Sequence, residues 1–140
     1  MSSDISNKFK DAIKLSEGYR ARVYKDTLDI DTIGYGFAIK DLALEEDICD
    51  IILERKLEVL VKRVNDRFEF IEDLPEEARE VVYEMAYQMG VSGVSKFKRF
   101  LQALKEGDYG LAAIEMLDSR WSKQTPNRAK RLSDIIKGLE

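Results

Sequence analysis

At 140 residues the chain suits one domain, or two lobes that share a helix, with a core that needs neither metal nor disulfide. It holds no histidine and a single cysteine, Cys49, which excludes an internal disulfide, a zinc site and any Ser-His or Cys-His nucleophile, and leaves acid–base chemistry to carboxylates. The formal net charge of −4 is unevenly spread, because Asp41 to Glu80 carries 14 acidic and 6 basic residues while Lys96 to Lys137 carries 10 basic and 5 acidic.

Residues Met1 to Lys10 lack the apolar core of about 7–15 residues that marks a signal peptide. No later stretch approaches the roughly 20 apolar residues of a membrane span. The first predicted element is an amphipathic helix over residues 5–16, with Ile5, Phe9, Ala12 and Ile13 at helical spacing, Ser2 or Ser3 as its cap and Gly18 as its stop. The period then changes. Val23-Tyr24-Lys25 and Thr32-Ile33-Gly34-Tyr35-Gly36-Phe37 read as strands, and Asp26 to Asp31 between them suits a turn. Gly34 and Gly36, two apart on the second strand, mark places where a backbone or ligand can approach closely.

From about residue 44 to 66 a long helix is predicted, with Ile48, Ile52, Leu60, Val64 and Phe68 at multiples of four and Leu57 and Val61 beside them; this stripe is expected to be core. The rest reads as helices. Pro75 opens one that carries Ala78, Val81, Val82, Met85, Ala86 and Met89 and ends at Gly90. Val94, Phe97, Leu101 and Leu104 mark the next, closed by Gly107, and Leu111 to Leu117 forms a short third. Thr125-Pro126 is a capped start for a last helix holding Ala129, Leu132, Ile135 and Ile136, with Gly138 as its stop. The expected class is α+β, mostly α.

Among the carboxylates, Glu17 stands at the C-terminal end of the first helix, where the helix dipole disfavours a negative charge. A general acid must hold its proton near neutral pH, so such a placement suits that work. Asp26 follows nine residues later, at the end of the first strand. Two carboxylates facing a common substrate are the minimum equipment for glycoside hydrolysis, but with 27 acidic residues in the chain spacing alone does not single this pair out.

The surrounding motif does. The run Glu17-Gly18-Tyr19-Arg20-Ala21-Arg22-Val23-Tyr24-Lys25-Asp26-Thr27, followed by Asp31-Thr32-Ile33-Gly34-Tyr35-Gly36, closely resembles the start of the phage-type lysozymes, glycoside hydrolase family 24. In that pattern a helix ends in Glu-Gly, a Tyr-x-Asp strand follows, and then Thr-Ile-Gly-x-Gly. A second match lies in the other half, where Tyr87-Gln88-Met89-Gly90, Gly93-Val94 and Phe97 precede Ser119-Arg120-Trp121 and Gln124-Thr125-Pro126-Asn127-Arg128-Ala129-Lys130-Arg131. Both ends of the domain match in order, and residues 38–75 match loosely.

The resemblance implies a single two-lobed lysozyme domain over residues 1–140. A small β lobe at about 17–43 would carry the active site, a helical part would comprise about 1–16 and 44–140, and a long helix would join them beside a cleft. It implies Glu17 as general acid, Asp26 and Thr32 as the pair that orients and activates water, and inversion at the anomeric carbon. Arg128 matches the arginine that pairs with the catalytic glutamate. Gly36, Tyr87, Gln88 and Arg128 are the expected substrate contacts, Tyr87 being equally readable as a helix-packing aromatic and Trp121 reading as core. No cofactor and no metal are implied. The substrate would be bacterial peptidoglycan, cut at the β-1,4 bond between N-acetylmuramic acid and N-acetylglucosamine. The protein would be a monomeric endolysin that inserts in no membrane and binds no nucleic acid. It would stay in the host cytoplasm until a separate holin gives it access to the periplasm and cell wall. Three rivals explain less. A lytic transglycosylase needs no water-positioning Asp26 and Thr32, a non-enzymatic murein-binding or virion structural module would tolerate loss of Glu17, Asp26 or Thr32, all of which are present, and a nucleic-acid binder would use the basic C-terminal half but leaves Thr-Ile-Gly-Tyr-Gly without a purpose.

Overall fold

A serine sets where the first helix begins. The computed structural model describes residues 5–140, so Ser2 and Ser3, the expected caps, lie outside the described residues. The cap of α1 (Asn7–Glu17) is Ser6, whose Oγ accepts the Phe9 N–H at 3.1 Å, in the manner that makes serine a preferred N-cap. Gly18 ends the helix at φ 71°, and its N–H is bonded to the Lys14 carbonyl.

Three short strands follow in the order β1 (Arg20–Lys25), β2 (Asp31–Gly34) and β3 (Phe37–Ala38), all antiparallel. Tyr24 pairs with Thr32, Lys25 with Asp31, Thr32 with Ala38 and Ile33 with Phe37. The Lys25–Asp31 pair is also an ion pair at 2.8 Å. The segment Thr32 to Phe37 is therefore not one strand but a hairpin. Gly34 and Gly36 have φ of 70° and 76°, a region that turns the chain out of a pleated strand and that residues with a Cβ avoid. They are the corners of a tight turn.

The long helix α2 (Glu46–Arg67) forms as expected, but its stripe is only partly core. Val64 is fully buried, and Leu60 and Phe68 pack against the core beside it. Ile48, Ile52 and Leu57 stay 42%, 38% and 37% exposed. Helix geometry explains the difference. Residues four apart are about 40° out of line at 3.6 residues per turn, so a row at multiples of four winds around the helix and by Val64 has turned about 160° from Ile48.

Helix α3 (Glu76–Ser95) starts just after Pro75 with Glu76 and Glu77 in its first turn, where negative charge suits the dipole. Gly90, at φ 81° and ψ 162°, breaks it, and helix resumes beyond that kink. Helices α4 (Lys98–Glu106), α5 (Tyr109–Leu117), α6 (Arg120–Gln124) and α7 (Pro126–Lys137) complete the chain. Helix α6 had no counterpart in the sequence reading. It is capped by Ser119, whose Oγ accepts the Ser122 N–H. Thr125 does not cap α7 with its side chain; its hydroxyl donates back to the Trp121 carbonyl at 3.1 Å, and Pro126 at the first helical position supplies the start.

The fold is α+β and mostly α. Its contacts divide into two compact units, Met1–Cys49 and Asp50–Glu140. In the second, α7 packs against α3, α5 and α6, and α4 against α5, around Met85, Phe100, Leu104, Met116, Leu132 and Ile136. Trp121 belongs to this core, as expected. No helix among the described residues is long and apolar enough to cross a membrane. Leu104 is completely buried, so Leu104→Ala should lower the unfolding free energy by about 2–5 kcal/mol through lost contacts and the cavity left behind. Chemical denaturation at constant m-value checks this.

Candidate active site

In the first unit, the end of α1 and the β2–β3 turn are locked together. Lys14 and Glu17 lie three residues apart and so share a helix face. The Lys14 ammonium sits 5.3 Å from the centre of the Tyr35 ring. Tyr35 in turn packs against Tyr19 at 5.6 Å and edge-on against Phe37 at 6.3 Å. This cluster holds the turn under the helix terminus, and the Glu17 carboxylate lies on Gly36. A Cβ placed on Gly36 would run into Glu17 Oε2 and stand 3.0 Å from its Cδ. The close approach at Gly36 comes from the Glu17 side chain, where the sequence suggested a backbone or a ligand. The carboxylate itself is exposed.

Asp26 is held by the turn it makes. Its Oδ1 accepts the N–H groups of Leu28 at 2.8 Å and Ile30 at 2.9 Å, and its own N–H donates to the Ile30 carbonyl at 3.0 Å. The same carbonyl accepts the Thr32 hydroxyl at 2.8 Å. Ile30 therefore joins Asp26 and Thr32 through its backbone. Thr32 is buried, and because its proton is committed to Ile30 its oxygen has only lone pairs left to offer. Asp26 Oδ2 takes no hydrogen bond from the described residues.

In the second unit, Glu84, Tyr87 and Gln88 share one face of α3 by their spacing. Tyr87 is half exposed. Gln88 Oε1 accepts the Trp121 indole N–H at 2.9 Å, which ties α3 to α6. Arg128 finds its ion-pair partner in Glu84, with Nε 2.8 Å from Oε2, and Arg131 donates to the same oxygen. Burial alone would raise the Glu84 pKa, but the hydrogen bonds and charges of Arg131 and Arg128 outweigh it and hold the carboxyl below its usual range. The sequence alone assigned no part to Glu84 or Lys14, and Tyr19 and Tyr35 stood there only as members of the motif. A signal for Glu84 existed, because it is the only acidic residue between Glu80 and Ser95 and stands one turn before Gln88. Among the described residues no group of three or more acidic or cysteine side chains could hold a metal.

Comparison with known proteins identifies the family. Residues 14–139 match the family model described as phage lysozyme. The protein named Probable T4-type lysozyme 1, of Dictyostelium discoideum, is 30% identical over 91% of this chain and 92% of its own length. The pre-baseplate central spike protein Gp5 of Enterobacteria phage T4 is 29% identical over 89% of this chain and 26% of its own. The SAR-endolysin of Bacteriophage PS119 is 27% identical over 76% of this chain and 63% of its own.

The lowered Glu84 pKa carries a pH dependence. A carboxyl whose folded pKa lies below its unfolded value, about 4.3 for glutamate, stabilises the fold above that value, and the contribution disappears as pH falls through the folded pKa. Thermal melts should show Glu84→Gln less stable than the parent at pH 7, with the gap closing below about pH 4.

Proposed function

The chain belongs to the phage lysozyme family, and from that premise we propose that it is a muramidase in which Glu17 is the general acid and Asp26 with Thr32 prepares the attacking water. Membership makes it a lysozyme, a glycosidase; the bond cut, between N-acetylmuramic acid and N-acetylglucosamine, and the residue roles are our reading. The observation that carries it is the joint Asp26–Ile30–Thr32 arrangement, in which one free carboxylate oxygen and one hydroxyl with only acceptor capacity are fixed by a single backbone residue.

That pair suits a water with both hydrogens engaged. One hydrogen goes to Thr32 Oγ1 and the other to Asp26 Oδ2, which turns a lone pair toward the anomeric carbon. Glu17 gives its proton to the leaving glycosidic oxygen while the water oxygen forms the new bond and Asp26 takes the water's proton. Attack from the face opposite the leaving group inverts the configuration, the outcome expected when a water stands between carboxylate and sugar. Gly36 serves this chemistry by leaving room for the Glu17 carboxylate. Tyr87, Gln88 and Arg128 contact the glycan. In this reading residues 1–140 form one lysozyme domain that works as a monomer and needs no cofactor. A relative named SAR-endolysin supports a lytic role in phage infection. The enzyme would wait in the host cytoplasm until a separate holin admits it to the wall.

Glu17→Gln should retain the fold and lose about 10²–10⁴-fold in lytic rate, because the amide cannot supply a proton. Turbidity loss of outer-membrane-stripped Gram-negative cells measures this, and wild-type lysis by the variant would remove Glu17 from the mechanism. Gly36→Ala should be similarly impaired, since its methyl group displaces the acid, and it should also lower the melting temperature, since alanine disfavours the positive φ at this position. Products should carry free reducing ends, about 18 Da heavier by mass than anhydro products, as expected for water as nucleophile. Mainly 1,6-anhydromuramic acid would point to transglycosylation.

A further inference from the structure

We propose that Tyr35 is a positioning residue that holds the Lys14 ammonium away from the Glu17 carboxylate, an inference that rests on the muramidase reading. Lys14 and Glu17 both stand in the last turn of α1, three residues apart, a spacing at which a lysine and a glutamate normally attract one another across the helix surface. Here they do not meet. Among the described residues no carboxylate lies within 4.0 Å of Lys14. The two charged groups go instead to consecutive residues of the β2–β3 turn. The Lys14 ammonium lies 5.3 Å from the centre of the Tyr35 ring, inside the distance of about 6 Å at which an aromatic face attracts a cation. The Glu17 carboxylate lies on Gly36. Tyr19 and Phe37 pack against the Tyr35 ring and keep it in place.

The same device recurs beyond Glu17. Arg20, three residues on, has its guanidinium 4.6 Å from the centre of the Tyr24 ring and likewise no carboxylate within 4.0 Å among the described residues. The two cations that flank the acid in the chain are thus both taken up by tyrosine faces. For a general acid this separation has a consequence. A cation beside a carboxyl favours its ionised form, and an acid that has lost its proton cannot give one to a leaving oxygen. With the Tyr35 ring removed, the flexible lysine stem lets the ammonium swing to Glu17, and the enzyme then loses activity earlier as pH rises. The ionisable groups around Glu17 are Lys14 on its own helix, the Tyr19 phenol and Arg20 on the chain entering β1, and the Tyr35 phenol in the turn. Arg128, the arginine that the family resemblance pairs with this acid, is the same in every variant compared.

Two readouts on the full chain test this, an NMR titration of the Glu17 carboxyl and the pH dependence of kcat/KM on soluble murein fragments. In Tyr35→Leu the carboxyl should titrate about 0.3 pH unit lower than in the parent at low salt, the size of an exposed helix ion pair. The alkaline limb of the rate profile should move the same way, and both shifts should shrink at high salt. Tyr35→Phe, which retains the ring face, should titrate with the parent. Adding Lys14→Met to Tyr35→Leu should bring both readouts back. Those two variants share the same lost packing, so the difference between them belongs to the cation alone. The parent also supplies a check that needs no variant, because the Tyr35 ring should shift the Lys14 ε-methylene protons upfield. Absence of that ring shift, a Tyr35→Leu titration that coincides with the parent, or one that stays lowered after Lys14→Met would each overturn the proposal. Murein hydrolysis by the parent is read separately. If it is absent the muramidase reading fails; if it is present and the titrations ignore Tyr35, only this inference fails.

Discussion

The first unit depends on how one carboxylate divides its oxygens. Asp26 Oδ1 accepts two backbone N–H groups, from Leu28 and Ile30, and that pair of bonds closes the turn between β1 and β2. The turn allows Asp29 a positive φ of 63° and sets the register in which Lys25 faces Asp31 and Tyr24 faces Thr32. A one-residue slip would send every side chain of β2 to the opposite face, and Thr32 would leave its buried place. The structural oxygen thus secures the partner with which the free oxygen, Oδ2, is available to work. An amide at this position would keep an acceptor for the turn and lose the charge needed for chemistry.

Glu17 is placed by a different device. It stands at a helix end, exposed, with no hydrogen bond among the described residues to aim it. Its neighbourhood does the aiming. Lys14 on the Tyr35 ring and Tyr35 against Tyr19 and Phe37 fix the helix terminus over the β2–β3 turn, and Gly36 supplies the gap into which the carboxylate fits. The two reactive groups are therefore set by separate local structures, a side-chain-to-backbone turn for Asp26 and a packed aromatic corner for Glu17. Neither spends a strong bond on the atoms that must exchange protons.

Much of this was legible in the sequence because the signals are local. The helix ending at Gly18, the polar turn after Lys25, the helices bounded by Gly90, Gly107 and Gly138, and the motif around Glu17, Asp26 and Thr32 each occupy a few consecutive residues. Other features were misread or missed, and several of them show the physical reason. The hairpin at Tyr35-Gly36 looked like strand because an apolar alternation continues through it, and only the positive φ of two glycines reveals the corner. The apolar row of α2 was taken as one face although a spacing of four precesses around the helix. The cap of α1 is Ser6 because a cap must stand next to the first helical residue, here Asn7. Glu84 was hidden because its role is defined by Arg128 and Arg131, 44 and 47 residues away, and its isolation among neutral neighbours on α3 does not name those partners.

The basic excess between Lys96 and Lys137 likewise resolves into two kinds of charge that composition cannot separate. Arg128 and Arg131 are committed to Glu84, and Lys130 to Asp134. Lys96, Lys98, Arg99 and Arg120 have no acidic side chain within 4.0 Å among the described residues, and with Glu115, Asp118, Phe97 and Trp121 they line a pocket of about 420 Å³. The four cations outnumber the two acids there and leave a local positive field that fades over about 8 Å at physiological salt. The paired arginines contribute less to that field, but their geometry is fixed, and a fixed donor distinguishes one anionic group from another where a mobile one only attracts. In a chain with an overall net charge of −4, attraction to an anionic wall has to come from such local surplus.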